Sequence, residues 1–204
     1  MSPPAGRLVL ASASPRRAEI LAALGIPFDV VPSRVEETLL PGEDAVGAAS
    51  RLAREKARDV YRPGSVPVLA ADTLVFLGAT ILGKPADAAD ARRMLSLLSG
   101  ATHSVVTSVA LLSEDALFEE SAVSRVRFAS LSDEEIAWYA ASREPLDKAG
   151  AYAVQGAGAR FVESIEGSPS NVIGLPARSV YGLLRRAGLL PLALPGGAAG
   201  REGR

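Results

Sequence analysis

Short apolar runs alternate with stretches of helical spacing along this chain, and the alternation predicts an α/β fold. Residues 8–11 form a short apolar run typical of a buried strand, and residues 16–24 repeat apolar side chains on one helical face before Gly25. Further strands are predicted over residues 28–31, 66–77, 104–112, 121–128 and 160–165, and further helices over residues 43–61, 87–99, 132–141 and 176–187. A capping box, Ser132 with Glu135 three residues on, marks the start of one of these helices.

The predicted helix over residues 43–61 is amphipathic, so one of its faces should pack on the sheet. The side chains expected to face the core are Val46, Leu52 and Ala53, and those expected to face solvent are Arg51, Arg54, Glu55 and Arg58. No internal repeat or linker interrupts the pattern, so residues 1–190 are predicted to form a single domain. From Pro191 onward Pro and Gly crowd in beside charge, which indicates a flexible tail over residues 191–204.

The composition limits the chemistry that the chain can perform. The 204 residues carry 22 Lys and Arg against 23 Asp and Glu, a net charge of −1, whereas a nucleic-acid-binding domain is usually strongly basic. Cys is absent and His103 is the single histidine, which excludes thiolate chemistry, Cys-based zinc sites and His clusters. A metal would therefore be held by carboxylates and phosphates, which favours a hard cation such as Mg²⁺ or Mn²⁺.

The apolar runs are too short for a membrane segment. None approaches the roughly 18 consecutive apolar residues that a spanning helix needs. Residues 11–13 resemble a signal-peptidase site, but the apolar stretch before them is far shorter than the roughly 7–15 residues of a signal-peptide core. We therefore expect a cytoplasmic protein with neither membrane nor nucleic acid as a partner.

Two serines and two arginines lie together between the first predicted strand and the first predicted helix. A helix N-terminus offers free N–H groups and the positive end of the helix dipole, and both favour phosphate. Ser12, Ser14, Arg16 and Arg17 would add hydroxyl and guanidinium donors to such a site. In the alternative interpretation, Ser14 caps the helix and Pro15 takes its first position. That alternative leaves the arginines unexplained, because cations near a helix N-terminus oppose the dipole.

A carboxylate interrupts the most apolar predicted strand. Asp72, with Thr73 beside it, lies inside the run Leu69–Val75, where a charge is costly unless it is paired or bound to metal. A desolvated carboxylate suits either a metal ligand or a general base. The alternative is an ordinary Asp at a strand end or in a salt bridge.

Other candidate residues carry weaker signals. Lys84 is held between Gly83 and Pro85 and could point at a phosphate, although loop and helix-face lysines such as Lys84 and Lys56 are usually solvated. Glu36 and Glu37 become interesting only if the fold brings them to Asp72. The glycine-rich segment 147–156 permits close backbone approach to a ligand, and its Gln155 can read a base edge with a donor and an acceptor. His103 has no triad partners and is interpreted as structural.

Taken together, these motifs resemble the Maf family of nucleotide pyrophosphatases. The matching segments follow one another from about residue 8 to residue 188, in the family's order. They are residues 12–17 (SASPRR), 35–37 (VEE), 52–57 (LAREKA), 70–73 (AADT), 81–85 (ILGKP), 98–105 (LSGATHSV), 144–156 (EPLDKAGAYAVQG) and 171–176 (NVIGLP). The resemblance implies a two-lobed fold like that of inosine triphosphatases, with an elongated mixed sheet flanked by helices and a central nucleotide cleft.

The resemblance also implies an activity and a set of roles. Members of this family hydrolyse a nucleoside triphosphate to the monophosphate and pyrophosphate with a divalent metal, Mg²⁺, Mn²⁺ or Co²⁺. By position, Asp72 resembles the catalytic base, and Glu37 with Asp72 resembles the metal-binding carboxylates. The residues that resemble phosphate-binding residues are Ser12, Ser14, Arg17, Lys56 and Lys84, and those at the specificity positions are Arg16, Thr73 and Gln155. This last set resembles the branch acting on dTTP and UTP rather than the branch preferring 7-methyl-GTP. The family is also linked to homodimers and to inhibition of septum formation.

Some alternatives stay open on the sequence. Asp72 could be the base or mainly a metal ligand. A nucleotidyltransferase would use similar residues but usually has a longer glycine-rich first loop, and a non-catalytic nucleotide-binding regulator of cell division is the other alternative. Two positions depart from the family pattern, since Pro169 replaces a frequent aromatic residue and Arg143 a frequent Gly. Neither lies in the proposed chemistry, and Pro169 is expected to affect only the rim of the cleft.

Overall fold

A computed structural model describes residues 7–114 and 116–190 of the chain. Its strands are β1 (Leu8–Leu10), β2 (Phe28–Val30), β3 (Val68–Leu77), β4 (Thr80–Leu82), β5 (Thr102–Leu112), β6 (Leu117–Phe128) and β7 (Val162–Glu166). Its helices are α1 (Pro15–Ala23), α2 (Ala45–Val60), α3 (Ala88–Leu98), α4 (Asp133–Ala141), α5 (Pro169–Ile173) and α6 (Ala177–Arg186), with short 3₁₀ helices at Glu144–Asp147, Ala149–Ala151 and Ala157–Phe161. Within these ranges no helix has the length and apolarity that crossing a bilayer requires.

The strands form one mixed sheet in the order β2-β1-β3-β5-β6-β7, with β4 paired to β3. Parallel pairing joins β1 to β2 and to β3, whereas β3, β5, β6 and β7 pair antiparallel. The three long central strands give the sheet its elongated form, and helices lie against it. The predicted α/β class with an elongated mixed sheet is therefore confirmed.

The edge of β3 that faces β1 is paired only at its two ends. On this edge β1 pairs with Val68 and Leu69, and β4 pairs with the segment from Val75 to Leu77. Residues 70–74 lie between these two pairings, while the opposite edge of β3 is paired with β5 throughout this stretch. The gap opens the sheet at Asp72 and Thr73, and a cleft forms there.

Two apolar clusters lie on one face of the sheet, at opposite ends of β3. Leu69 and Ala71 belong to the cluster that α1 and α6 cover, and Val75 belongs to the cluster that packs under α3 and α4. Since side chains alternate along a strand, Asp72 points to the other face, where α2 packs. The cleft thus lies between two cores, in agreement with the predicted two-lobed arrangement.

The buried face of α2 differs from the predicted one at two positions, Val46 and Lys56. Leu52 and Ala53 are buried as predicted, but Val46 is 39% exposed, so its predicted inward orientation is wrong. The buried residues of α2 form one stripe, made of Ala45, Ala48, Ala49, Leu52, Ala53, Lys56 and Ala57. Val46 lies outside this stripe. The stripe includes Lys56. Its burial was not predicted, because lysines on a helix face are usually solvated.

Several element boundaries differ from the predicted ones. Arg160 and Phe161 belong to a 3₁₀ helix, so β7 begins at Val162 rather than at Arg160. Strand β6 begins at Leu117, and the capping box that opens α4 is present as predicted. The sequence did not predict β4 or α5 as elements because each is too short for periodicity to register. The predicted tail over residues 191–204 lies outside the described residues, and the single domain over residues 1–190 stays a prediction.

Candidate active site

A cavity of about 350 Å³ occupies the gap on the edge of β3. Its lining includes ten residues that the sequence singled out for binding or catalysis, namely Ser12, Ser14, Arg16, Arg17, Glu37, Lys56, Asp72, Thr73, Lys84 and Gln155. Glu36, the other candidate carboxylate, is exposed and does not line the cavity. The lining residues come from the loop after β1, the first turn of α1, the segment before α2, the α2 helix, β3, the loop after β4 and the segment before the last 3₁₀ helix. The fold therefore brings the predicted residues into one cleft, and their individual roles stay predictions.

Alternating charges run from the interior of the cleft to its mouth. The Lys56 ammonium group contacts Asp72 Oδ1 and Glu37 Oε1, each at 2.5 Å, and Lys84 Nζ contacts Glu37 Oε2 at 2.5 Å. Lys56 and Asp72 are 6% and 4% exposed, whereas Glu37 and Lys84 are open to solvent. A buried charge is tolerated when it is paired, which explains how β3 keeps an acid among apolar neighbours.

The two carboxyl groups of this chain differ in acidity. Partial burial on its own would raise the pKa of Glu37, but the ammonium groups of Lys56 and Lys84 outweigh burial and lower the pKa to about 2. Deeper burial raises the pKa of Asp72 above its usual value, although Lys56 and Arg17 oppose that rise. Glu37 is therefore a permanent anion at neutral pH, and Asp72 is the better proton acceptor of the two.

The start of α1 faces the cavity. Ser14 is the N-cap residue, yet its hydroxyl makes no capping hydrogen bond within the described structure, which argues against a purely capping role. Its backbone N–H donates to Ser12 Oγ at 3.2 Å, which orders the loop. The first turn of α1 carries no acidic side chain, so the positive end of the helix dipole is not offset there. This terminus is therefore suited to an anion.

Arg17 is half-buried, and its guanidinium group is hydrogen-bonded largely to the protein itself. Its Nε donates to the Gly174 carbonyl at 2.8 Å, and Nη1 donates to the Ala71 carbonyl at 2.8 Å and to Ser12 Oγ at 3.3 Å. Its Nη2 donates to Thr73 Oγ1 at 3.0 Å. Of the five N–H groups of an arginine, one on Nη2 then has no acceptor among the described residues. Arg17 thus joins α1 to β3 and to the end of α5, and its predicted phosphate contact would use that last N–H.

The hydroxyl of Thr73 has a fixed polarity. Thr107 donates its single hydroxyl proton to the Asn171 carbonyl at 2.9 Å, so in the 2.9 Å contact between the two threonines Thr73 must be the donor. Thr73 also accepts from Arg17. One lone pair of Thr73 Oγ1 is left, and toward a ligand this hydroxyl can therefore only accept.

The segment that carries Gln155 turns tightly against β3. Gly150 adopts φ +71°, and a Cβ there would lie 2.9 Å from a methyl group of Val75, so only glycine fits. Ala151 follows with φ +59°, an uncommon conformation for a residue with a side chain. The Gly150 N–H donates to the Gly83 carbonyl at 3.0 Å, which links the Gln155 segment to the loop of Lys84.

His103 lies in an aromatic core, in agreement with its interpretation as structural. Its Nε2 is 2.8 Å from Tyr152 Oη, and its ring packs edge-to-face on Phe128. Burial lowers the pKa of His103 from 6.5 to about 4, so the ring is neutral at physiological pH. Its partner Tyr152 lines the cleft, so this core supports the cavity from below.

Sequence reasoning missed several residues that hold the site together. Thr107 and Asn171 orient Thr73, and Tyr139 holds the Gln155 segment through its hydroxyl. Asn171 lies in a segment of the family resemblance, and its complete burial was the missing signal. Thr107 and Tyr139 follow ordinary strand and helix patterns, so nothing in the linear sequence distinguishes them.

The fold and the cleft on their own define a class of protein. An α/β sheet with an open edge, a free helix N-terminus, fixed cations and a buried acid forms a site for a phosphorylated ligand. The chain matches the sequence model described as "Maf-like protein" over residues 7–187, and it belongs to that family.

Curated relatives of high identity extend this comparison. A dTTP/UTP pyrophosphatase of Anaeromyxobacter dehalogenans (strain 2CP-C) is 54% identical over 196 residues, which cover 94% of this chain and 100% of the relative. A dTTP/UTP pyrophosphatase of Myxococcus xanthus (strain DK1622) is 55% identical over 89% of this chain and 93% of the relative. The corresponding protein of Aquifex aeolicus (strain VF5), with the same description, is 49% identical over 90% and 97%.

Among solved structures, a HAM1 protein from Coxiella burnetii shares the fold. The TM-score is 0.50 at 20% identity, and the match covers 88% of this chain and 98% of that structure. At this identity the likeness concerns the architecture alone.

Proposed function

We propose that this chain hydrolyses dTTP and UTP to the nucleoside monophosphate and pyrophosphate. The observation that carries the proposal is the cleft itself, in which a buried acid, Asp72, lies among Lys56, Lys84 and the open N-terminus of α1. The description of the curated relatives as dTTP/UTP pyrophosphatases, at about half identity over most of the chain, supports the same substrates.

In this proposal the triphosphate lies along the cationic side of the cleft. The N–H groups at the start of α1, with the hydroxyls of Ser12 and Ser14, receive phosphate oxygens as hydrogen-bond donors. Lys84 is exposed at the mouth, so it can leave Glu37 and contact a phosphate at low cost. Lys56 is held by two carboxylates and supplies a fixed positive charge beside the reacting phosphorus.

Asp72 acts as the general base of the proposed reaction. It takes a proton from a water molecule whose oxygen forms a bond to the α-phosphorus. The bond between that phosphorus and the bridging oxygen to the β-phosphorus breaks, and the electron pair leaves with pyrophosphate. Burial raises the pKa of Asp72, which makes the carboxylate a stronger proton acceptor than an exposed one.

The donor set of the cleft fits a divalent metal. Glu37 and Asp72 present hard carboxylate oxygens on either side of one cation, the Lys56 ammonium group. Among the described residues no cluster of three potential ligands is present, so two carboxylates would leave the other coordination positions to phosphate and water. A bound Mg²⁺, Mn²⁺ or Co²⁺ would neutralise charge that develops on the phosphate oxygens.

Base recognition is assigned to Gln155, Arg16 and Thr73. Thr73 has only an acceptor to offer, and uracil and thymine carry an N–H donor at N3, where cytosine carries an acceptor. Gln155 contributes one donor and one acceptor, which suits the carbonyl and imino groups of the same bases. A homodimer, a cytoplasmic location and a role in septum formation stay predictions.

The test is hydrolysis of a panel of canonical and modified triphosphates in ¹⁸O-labelled water with added Mg²⁺, Mn²⁺ or Co²⁺. We expect pyrophosphate release without any acceptor, highest kcat/KM for dTTP and UTP, and the label in the monophosphate. Label in pyrophosphate would place the attack at the wrong phosphorus. Release that needs an acceptor would indicate a nucleotidyltransferase, and bound nucleotide without turnover would indicate a binding protein.

A further inference from the structure

The peptide on either side of Gln155 is fastened by one pair of side chains. Before Gln155, the Ala153 N–H donates to Tyr139 Oη at 3.1 Å. After it, the Ala157 N–H donates to Glu144 Oε2 and the Gly158 N–H to Glu144 Oε1, each at 3.1 Å. The Tyr139 hydroxyl in turn donates to Glu144 Oε1 at 2.8 Å, which joins the two side chains into one clamp.

Two glycines allow the backbone to lie directly on this clamp. A Cβ at Gly156 would lie 2.6 Å from Glu144 Oε1, and a Cβ at Gly158 would lie 2.6 Å from Tyr139 Oη. A side chain at either position would displace a clamp residue, and a Cβ at Gly158 would also lie 2.8 Å from the Ala153 carbonyl oxygen. Close contact on both sides of Gln155 leaves its backbone little freedom.

Tyr139 anchors the clamp in the core, whereas Glu144 is half-buried. The Tyr139 ring is completely buried and packs edge-to-face on Phe161, with ring centroids 5.1 Å apart. Glu144 has only accepting oxygens, and both are directed at donors from the clamped peptide or from Tyr139. The carboxylate charge strengthens these hydrogen bonds, and a neutral amide could not accept at both oxygen positions.

We propose that Glu144 and Tyr139 are positioning residues for base selectivity, which they set by holding Gln155 in register with the pyrimidine. This inference rests on the proposed reading of the base by Gln155. It assigns no contact between the clamp and the substrate. The clamp acts on the base end of the cleft and leaves the phosphate end unchanged.

The variants Glu144→Gln and Tyr139→Phe test the clamp. Each removes hydrogen bonds at the Gln155 peptide, and the second keeps the buried ring, so it folds even where the first does not. We expect the ratio of kcat/KM for UTP over CTP to fall roughly tenfold in each, the effect of one lost hydrogen bond. The inhibition constant of inorganic tripolyphosphate, which occupies only the phosphate end, should stay within twofold of wild type, within the ordinary scatter of surface changes.

The matched control is Ser142→Ala, because the Ser142 hydroxyl donates to the Tyr139 backbone carbonyl at 2.7 Å and makes no hydrogen bond to the Gln155 peptide within the described residues, so the change spares the Tyr139 hydroxyl and the Glu144 carboxylate. It should keep the wild-type ratio. An unchanged ratio in both clamp variants would overturn the inference, as would an equal loss for UTP, CTP and tripolyphosphate, which is the signature of general loosening. Gln155→Ala separates the two proposals. If selectivity falls in Gln155→Ala but not in the clamp variants, the role of the clamp is refuted and base recognition by Gln155 stands. If selectivity does not fall in Gln155→Ala, base recognition by Gln155 is itself refuted.

Discussion

The two ends of the cleft are built in contrasting ways. At the phosphate end, Lys84, Glu37, Lys56 and Asp72 form a chain of ion pairs, with the two inner residues held on α2 and β3. At the base end, Gln155 is carried on an irregular segment whose peptide N–H groups are held by the Tyr139 hydroxyl and the Glu144 carboxylate, above a buried aromatic core. Charge on rigid elements suits a reaction in which negative charge develops, and a fixed peptide edge suits recognition of hydrogen-bond patterns. Mutations at the phosphate end should therefore mainly change the rate, and mutations at the base end should mainly change the selectivity.

The largest effect is expected at the acid of the phosphate end. Asp72→Asn keeps the size of the side chain but removes the proton acceptor. Turnover should fall at least about a hundredfold, the usual scale of a lost acid–base group, while nucleotide binding stays largely intact. Steady-state kinetics with calorimetric binding would measure this. Asp29→Asn, an exposed acid paired with Arg7, serves as the control, and retained turnover in Asp72→Asn would remove Asp72 from the mechanism.

Removing the central cation should damage both stability and rate. Lys56→Met leaves Asp72 buried without its partner, a loss of about 3–5 kcal/mol in the free energy of unfolding for a broken buried pair. The pKa of Asp72 should rise further, so the acid limb of the pH–rate profile should move to higher pH. Lys84→Met is the matched control, because its pair with Glu37 is exposed and should stabilise the fold little. Equal destabilisation by the two variants would contradict the special role of the buried lysine.

A smaller effect, confined to selectivity, is expected from the threonine network. Thr107→Val removes the acceptor that receives the Thr73 proton, so the Thr73 hydroxyl becomes free to donate. Discrimination of UTP against CTP should then fall by roughly five- to tenfold, the scale of a single hydrogen bond. Parallel assays with both nucleotides would show it. A uniform fall for both substrates would mean that Thr107 serves packing alone.

The smallest effect at neutral pH concerns the core under the base end. Between pH 6.5 and about 4 the unfolded chain binds a proton at His103 that the folded chain excludes, so stability should fall as the pH drops through this window. The full difference is about 3 kcal/mol. Denaturant unfolding at several pH values should reveal the slope. In His103→Gln the slope over this window should flatten, and an unchanged slope would assign it to other groups.

Much of the fold, and part of the site, is visible in the linear sequence. Apolar periodicity predicts the long strands and helices, and unusual local chemistry marks Asp72 and the Ser–Arg loop. The burial of Lys56 was readable in principle, because this lysine continues the apolar stripe of α2 one turn beyond Leu52 and Ala53. The bonding of Arg17 to the protein was not readable. Apart from Ser12, its acceptors come from β3 and from the end of α5, far away in sequence.

The clamp is a second feature that the linear sequence does not reveal. Glu144 and Tyr139 lie only five positions apart, yet their partners in the Gln155 segment are fixed by a turn whose geometry the sequence does not display. The glycines at 156 and 158 carry the signal. Their meaning emerges only when the neighbouring carboxylate and hydroxyl are in place.

The size of the binding site depends on the number of unpaired residues in the gap on the edge of β3. The width of this gap is the number of positions between the last pair that β1 forms and the first pair that β4 forms. One added pair at either end would carry a neighbouring strand into the space that the ligand needs. Insertions that lengthen β1 or shift the β3–β4 hairpin should therefore abolish binding without unfolding the protein, whereas equal insertions at the β5–β6 turn should be harmless.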